Sequence, residues 1–201
     1  MARRWFYIIP LVVLVLVVLF ADRIKRSHRW RRKFSVVKEG VLLRGQQPTL
    51  AQLKKTKHRY DIRTIINLLH WDELEDYPEC DAERKFAAEG GIRFIHMPLS
   101  VPRPEQITKF LGIVNNSNNW PIFIHCMKGT VRTGTLVALF RIENEGWSNQ
   151  EAFDEMLSFG FDPSLHEHRS VAEFVLAYRG TTQSESPSTP SPRSDASEPE
   201  Q

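Results

Sequence analysis

Residues 125–134 read His-Cys-Met-Lys-Gly-Thr-Val-Arg-Thr-Gly, and their types and spacing describe a site for chemistry on phosphate. A cysteine thiolate is a strong nucleophile, and Cys126 stands near the start of the stretch. Arg132 follows six residues later, and a guanidinium can fork onto two oxygens of a phosphate. The apolar run Pro121-Ile122-Phe123-Ile124 precedes the stretch and Leu136-Val137-Ala138-Leu139-Phe140 follows it, so a strand feeds a tight loop that opens into a helix. Successive loop N–H groups, with the unpaired N–H groups of a helix's first turn, form an anion nest of partial positive charge. Such a field favours a thiolate as well as a bound phosphate. The reading is therefore Cys126 as nucleophile, Met127, Lys128, Gly129, Thr130 and Val131 as cradle, and Arg132 as clamp. A blander alternative packs the cysteine as a small hydrophobe and puts Arg132 in a surface ion pair. It leaves a glycine-punctuated loop between two apolar runs unexplained.

The pattern His125-Cys126-x5-Arg132-Thr133-Gly134 resembles the signature loop of the cysteine-dependent tyrosine and dual-specificity phosphatases. The order of elements over residues 34–180 is similar to that superfamily too. The resemblance implies a cysteinyl-phosphate intermediate on Cys126 that water then hydrolyses. It gives His125 the role of orienting the loop, and Thr133 a hydroxyl that assists the thiolate and breakdown of the intermediate. A satisfied strand-end histidine is compatible with that role. The chain departs from the family in one respect. Most members carry an aspartate, the general acid, on the loop after the strand preceding a long helix. Here that loop, Pro98-Leu99-Ser100-Val101-Pro102-Arg103-Pro104, has no carboxylate. Asp72, in an acidic loop after an adjacent strand, and Glu105, at a helix start where the dipole favours an acid, are the candidates. Asp162, in an Asp-Pro turn, is a further one. Lacking a general acid typically slows a reaction by about 10²–10⁴-fold.

Charge is unevenly distributed. Residues 1–33 carry nine Lys/Arg and one Asp, residues 34–180 have a net charge of −2, and the tail 181–201 has −3. The folded region is thus nearly balanced, which discounts nucleic acid as a partner. The two cysteines, Cys80 and Cys126, form no disulfide framework and no paired-cysteine metal signature. Cys80 reads as a plain helix-start residue, with a protective disulfide to Cys126 as its alternative. His166 and His168 alternate in what reads as a helix's first turn, so they share no face. No metal or organic cofactor is implied.

Trp5 to Ala21 is an unbroken apolar run of 17 residues, at the short end of what spans a bilayer. A cleaved secretory signal has a shorter apolar core and a small-x-small cleavage site. Leu19-Phe20-Ala21 puts a bulky residue at the first of those small positions, which favours an uncleaved single-pass anchor. Arg3 and Arg4 precede the run, and Arg23, Lys25, Arg26, Arg29, Arg31, Arg32 and Lys33 follow it. The positive-inside bias then puts the catalytic domain on the cytoplasmic side. The collar can also contact anionic headgroups, or act as a topology signal only.

Three regions follow: 1–33 as anchor and basic collar, 34–180 as a phosphatase-like catalytic domain, and 181–201 as a tail. The tail is dominated by Ser, Pro, Thr and Glu, the composition of disorder. Within 34–180, residues 34–37 and 41–44 read as paired strands about Glu39-Gly40. Thr64–Leu69 and Ile92–His96 read as buried strands. A capping box at Thr49 opens a helix to about His58, and a helix from about Asp81 ends at Gly90-Gly91. Ile107, Phe110, Leu111 and Val114 mark one face of another. The helix from Thr133 ends near Gly146. Ser148-x-x-Glu151 and Ser164-x-x-Glu167 read as capping boxes of the last two helices. Alternating strands and helices give an α/β fold, a mostly parallel central sheet with helices on both faces. A ligand site is expected at the carboxyl ends of its strands, where Cys126 falls.

The expected function is hydrolysis of phosphate monoesters on phosphotyrosine or phosphoserine/threonine proteins. Two alternatives stand beside it. One is a membrane-anchored phosphatase for phosphoinositide or phospholipid headgroups, to which Lys128 would add a positive charge. The other is a non-catalytic phosphate-binding module.

Overall fold

The central strands are apolar on both sides because both sides are covered. The computed structural model describes residues 2–76 and 78–180, the side chains of 2–11, 23, 26, 75 and 76 excepted. A long helix α1 (Ala2–Lys33) leads into β1 (Ser35–Lys38), β2 (Leu42–Gln46), α2 (Leu50–Tyr60) and β3 (Thr64–Asn67). Then come α3 (Trp71–Asp76), α4 (Pro78–Glu89), β4 (Arg93–His96), α5 (Pro104–Val114) and β5 (Ile122–Cys126). The chain closes with α6 (Val131–Glu145), α7 (Asn149–Ser158) and α8 (Arg169–Ala177), the last preceded by a 3-10 turn, His166–His168.

The sheet order is β1-β2-β5-β3-β4. β1 is the antiparallel edge and every other pairing is parallel. Side chains of a strand alternate between faces, and neighbours in sequence divide accordingly. Leu42, Ile66, Ile122 and Ile124 pack with Phe110 of α5 and Leu136, Val137 and Phe140 of α6. Leu43, Ile65 and Phe123 pack with Leu53 of α2 and Ala87 of α4. The expected mostly parallel sheet with helices on both faces is what forms. β5 is its central strand, buried throughout, and Cys126 is that strand's last residue.

Local expectations hold in most places. Thr49 and Gln52 close a reciprocal capping box at α2, Ser148 and Glu151 do so at α7, and Gly146 ends α6 with φ of 71°. Two do not hold. The acidic stretch after β3 is the short helix α3, whose start is tied by Glu73 Oε2 accepting the His70 N–H at 2.8 Å. Ser164-x-x-Glu167 forms no capping box. Ser164 instead gives its N–H (3.0 Å) and hydroxyl (2.7 Å) to Asp162 Oδ1, and α8 begins only at Arg169.

The end of α1 is built into the domain. Trp30 stacks on Phe34 at 5.3 Å and approaches Phe123 at 6.1 Å, and Lys33 Nζ donates to the carbonyl of Phe159. Val12 to Phe20 are all exposed. Among the described residues no helix is long and apolar enough to cross a membrane, so a spanning segment over Trp5–Ala21 finds no support there. The side chains of residues 5–11 lie outside the described residues, as does the whole tail 181–201.

Candidate active site

The loop from Cys126 to Arg132 turns tightly because Gly129 permits it. Gly129 has φ of +65°, and a Cβ there would come within 2.6 Å of the Gly45 carbonyl oxygen and 2.7 Å of the Gln46 nitrogen. A side chain is excluded on conformational and steric grounds alike. The loop thereby lies against the end of β2. Among the described residues, the N–H groups of Met127, Lys128, Gly129 and Thr130 donate no hydrogen bond. They are the unpaired donors that an anion nest needs. Cys126 is 4% exposed and lines a cavity of about 410 Å³ together with Lys128, Arg132, Glu73, Glu167 and His168. A shallower depression of about 500 Å³ over Lys54, Lys57, His58, Asp61 and Phe86 holds no nucleophile.

Arg132 is held in a fork. Its NH1 and NH2 meet Glu73 Oε2 and Oε1 of α3 at 2.5 and 3.0 Å. Partial burial pulls the Glu73 carboxyl upward, but the Arg132 hydrogen bonds and the His70 N–H outweigh it and hold the group below the usual carboxylate range. Glu73 is therefore an anion that holds the Arg132 guanidinium in place. No feature of the sequence singled it out.

Behind the loop, His125 is fully buried and stacked on Phe123 at 5.3 Å. Its Nε2 lies 2.8 Å from Glu83 Oε1 of α4, with both side chains at most 1% exposed. The two atoms are close without the alignment of a directed hydrogen bond, so the contact is an ion pair when the imidazole is protonated. Glu83 Oε2 also accepts from Asn67 Nδ2 at 3.0 Å and Gln47 Nε2 at 3.3 Å. Glu83 thus ties β3, β5 and the end of β2 beneath the loop. Thr133 is fully buried, and among the described residues its hydroxyl has no partner. Cys80 is 1% exposed on α4, more deeply set than a helix-start residue need be. Burial, with Glu83 adding to it, pushes its thiol up to about 11. Both cysteines are free.

A second arginine lies under the loop. Arg44 of β2 is fully buried. Its NH2 donates to the Gly129 carbonyl at 3.1 Å and its guanidinium lies 3.7 Å from the centre of the Phe159 ring. Among the described residues, Nε and NH1 have no partner. Burial pushes Arg44 down to about 10, with Glu155 and Cys126 pulling the other way, so it remains a cation at neutral pH.

A cysteine at the end of a central parallel strand, unpaired loop amides and a carboxylate-aimed arginine form one constellation on this fold. The family model described as "DSP-PTPase phosphatase fused to NAD+ Kinase" matches residues 19–173. The chain belongs to this family. Among curated relatives, the dual specificity protein phosphatase TpbA of Pseudomonas aeruginosa is 24% identical over 68% of this chain and 61% of its own length. The inositol diphosphatase SIW14 of Saccharomyces cerevisiae is 31% identical over 61% of this chain and 43% of its own length. The chain therefore spans less than two thirds of these relatives. The crystal structure of the core catalytic domain of SIW14 superposes with a TM-score of 0.60 at 30% identity, covering 73% of this chain and 85% of that one.

The carboxylates expected as proton donors stand apart from the cavity. Asp72, Glu105 and Asp162 are exposed and none lines it. Glu105 Oε1 pairs with Arg103 at 2.8 Å, and Asp162 is occupied by Ser164. The titratable groups that do line the cavity besides Cys126, Lys128 and Arg132 are Glu73, Glu167 and His168.

Proposed function

We propose that this chain hydrolyses phosphate monoesters through a phosphocysteine. The observation that carries the reading is the meeting of Cys126, the unpaired amides of Met127 and Lys128 and the Glu73-aimed Arg132 in one cavity. The Cys126 thiolate attacks phosphorus in line with the departing ester oxygen, and the Sγ–P bond forms as the P–O bond breaks. The loop amides and Arg132 hold the three equatorial oxygens, where preorganised donors typically lower a barrier by about 3 kcal/mol each. Water then displaces Sγ from phosphorus, releasing inorganic phosphate and restoring the thiolate. His125, through Glu83, fixes the strand end that carries Cys126. The Thr133 hydroxyl is available to the sulfur or to the attacking water.

The favoured substrate is a singly phosphorylated protein side chain. Lys128, Arg132 and His168 line the cavity together with Glu73 and Glu167, and Arg132 is already shared with a carboxylate. That balance suits one phosphate better than a cluster of them. The relative TpbA, named a dual specificity protein phosphatase, supports the same choice. A second reading takes a phosphoinositide or phospholipid headgroup, and two observations favour it. One is the exposed apolar surface from Val12 to Phe20 on the helix that carries the basic collar. The other is the likeness to SIW14, an inositol diphosphatase. In either case α1 tethers the domain to a membrane, with the collar and the catalytic domain on the cytoplasmic side.

Phosphate release should be compared for a phosphotyrosine peptide, a phosphoserine peptide, phosphoinositide vesicles and an inositol pyrophosphate. Highest kcat/KM on a peptide is the expected result. Preference for vesicles would select the second reading, and preference for the pyrophosphate would refute the single-phosphate argument. Binding without turnover on all four would leave a phosphate-binding module.

A further inference from the structure

Breaking a P–O bond to a poor leaving group needs a proton at the departing oxygen, and the loop between β4 and α5 has no carboxylate to give one. The cavity itself restricts the choice. Glu73 is committed to Arg132 through both oxygens and is held as an anion. Glu167 is exposed, and among the described residues no hydrogen bond aims its side chain. His168 differs from both. It is partly buried and lies in the segment that the unformed Ser164 box leaves outside α8. Its ring stacks on buried Phe161 at 5.1 Å and 21°, and Phe161 packs edge-on against Phe153 at 5.8 Å. Nδ1 lies 2.7 Å from the Asp162 carbonyl oxygen. A carbonyl only accepts, so Nδ1 carries a hydrogen and Nε2 is the nitrogen left for a ligand. The Asp162 backbone is steadied in turn by the Ser164 contacts to its side chain. The ring is thus fixed in plane and in tautomer, as a proton donor's must be.

We propose that His168, from the segment between α7 and α8, supplies the leaving-group proton in place of the missing loop aspartate. The assignment rests on the phosphatase reading above. As Sγ bonds to phosphorus and the ester P–O bond breaks, the imidazolium Nε2–H passes its proton to the departing oxygen, which leaves as a neutral alcohol. In the second step neutral Nε2 takes a proton from the attacking water as the O–P bond forms and Sγ departs as thiolate. The imidazolium is regenerated, and no further reactant is required.

The test uses the full chain and a series of phosphate monoesters running from acidic phenols to an alkyl alcohol. His168→Gln should lower kcat/KM about 10²-fold or more on the alkyl ester and by about threefold or less on the most acidic phenol. Activity on that phenol also reports that the variant is folded. Added imidazole should restore part of the alkyl-ester activity in His168→Ala. Glu167→Gln should keep the wild-type dependence on leaving group. A uniform loss across the series in His168→Gln would overturn the assignment, since a structural defect does not discriminate among leaving groups. So would no loss at all, or a steepened dependence in Glu167→Gln. Failure of the wild-type chain to turn over any ester would defeat the phosphatase reading itself and this assignment with it.

Discussion

Replacing Arg44 by Met should separate catalysis from stability. The guanidinium is fully buried with Nε and NH1 unpartnered, and burying an incompletely paired ion carries an effective penalty of several kcal/mol. Against that stand one charge-assisted hydrogen bond to the Gly129 carbonyl, about 1.5–3 kcal/mol, and the cation over Phe159, about 2 kcal/mol. Methionine fills similar space without charge, so the terms nearly cancel and the fold should change by no more than about 2 kcal/mol. Catalysis should respond differently. Arg44 pairs with Ile124 across β2 and β5, two residues short of Cys126. Strand spacing of about 4.8 Å and rise of about 3.3 Å per residue then set the two α-carbons about 8 Å apart. Taking that as the charge separation, an effective dielectric constant near 20 gives about 2 kcal/mol between cation and thiolate. That energy is about 30-fold in rate. The assay pairs chemical denaturation with initial rates on an aryl phosphate and with the alkylation rate of Cys126 by iodoacetamide at neutral pH. Arg44→Met should unfold near the wild-type midpoint and lose about 30-fold in both rates per folded molecule, whereas Arg44→Lys should recover most of the loss. Unchanged turnover and alkylation in folded Arg44→Met would refute the reasoning.

Further outcomes follow from the same geometry. Glu73→Gln removes the charge that aims Arg132, and kcat/KM should fall by about 10-fold, in line with about 1–2 kcal/mol for a partly exposed charged pair, as measured by steady-state kinetics. The depressed Glu73 carboxyl contributes stability that is present above its unfolded value of 4.5 and lost as pH falls through the folded value. An acid titration of unfolding should therefore show a smaller decline in Glu73→Gln than in wild type. For Cys80 the sign reverses. Its thiol stays protonated to about 11 in the fold against 9.0 unfolded, so stability is full below pH 9.0 and declines as pH rises toward about 11. Cys80→Ala should flatten that alkaline decline. Gly129→Ala should abolish turnover, because a Cβ cannot fit 2.6 Å from the Gly45 carbonyl at positive φ. Its circular dichroism should remain that of a folded α/β domain.

Much of the site was legible because it is local. Cys126, Gly129 and Arg132 lie within one turn of chain, and the flanking apolar runs name the strand and the helix that hold them. Arg44, Glu73, Glu83 and His168 come from four separate elements, and only the sheet order brings them beneath or beside the loop. Glu83 left a trace in the sequence. It follows Cys80 by three residues and precedes Ala87 by four, on the buried stripe of α4, where an acid requires a partner. Arg44, directly after the apolar run Val41-Leu42-Leu43, left a similar one. Glu73 left none, since a carboxylate in a run of carboxylates has no local signature. The misread box at Ser164 has a specific cause. Asp162 takes the serine's N–H and hydroxyl, so the turn closes backward on itself and α8 starts late.

Rapid acid quench during turnover of an aryl phosphate, followed by peptide mass spectrometry, tests directly whether the phosphoryl group passes through the sulfur of Cys126. The expected result is a single phosphoryl group on the peptide containing Cys126, absent in Cys126→Ser, which should release no phosphate. A phosphoryl group on another residue, or wild-type turnover by Cys126→Ser, would contradict the account.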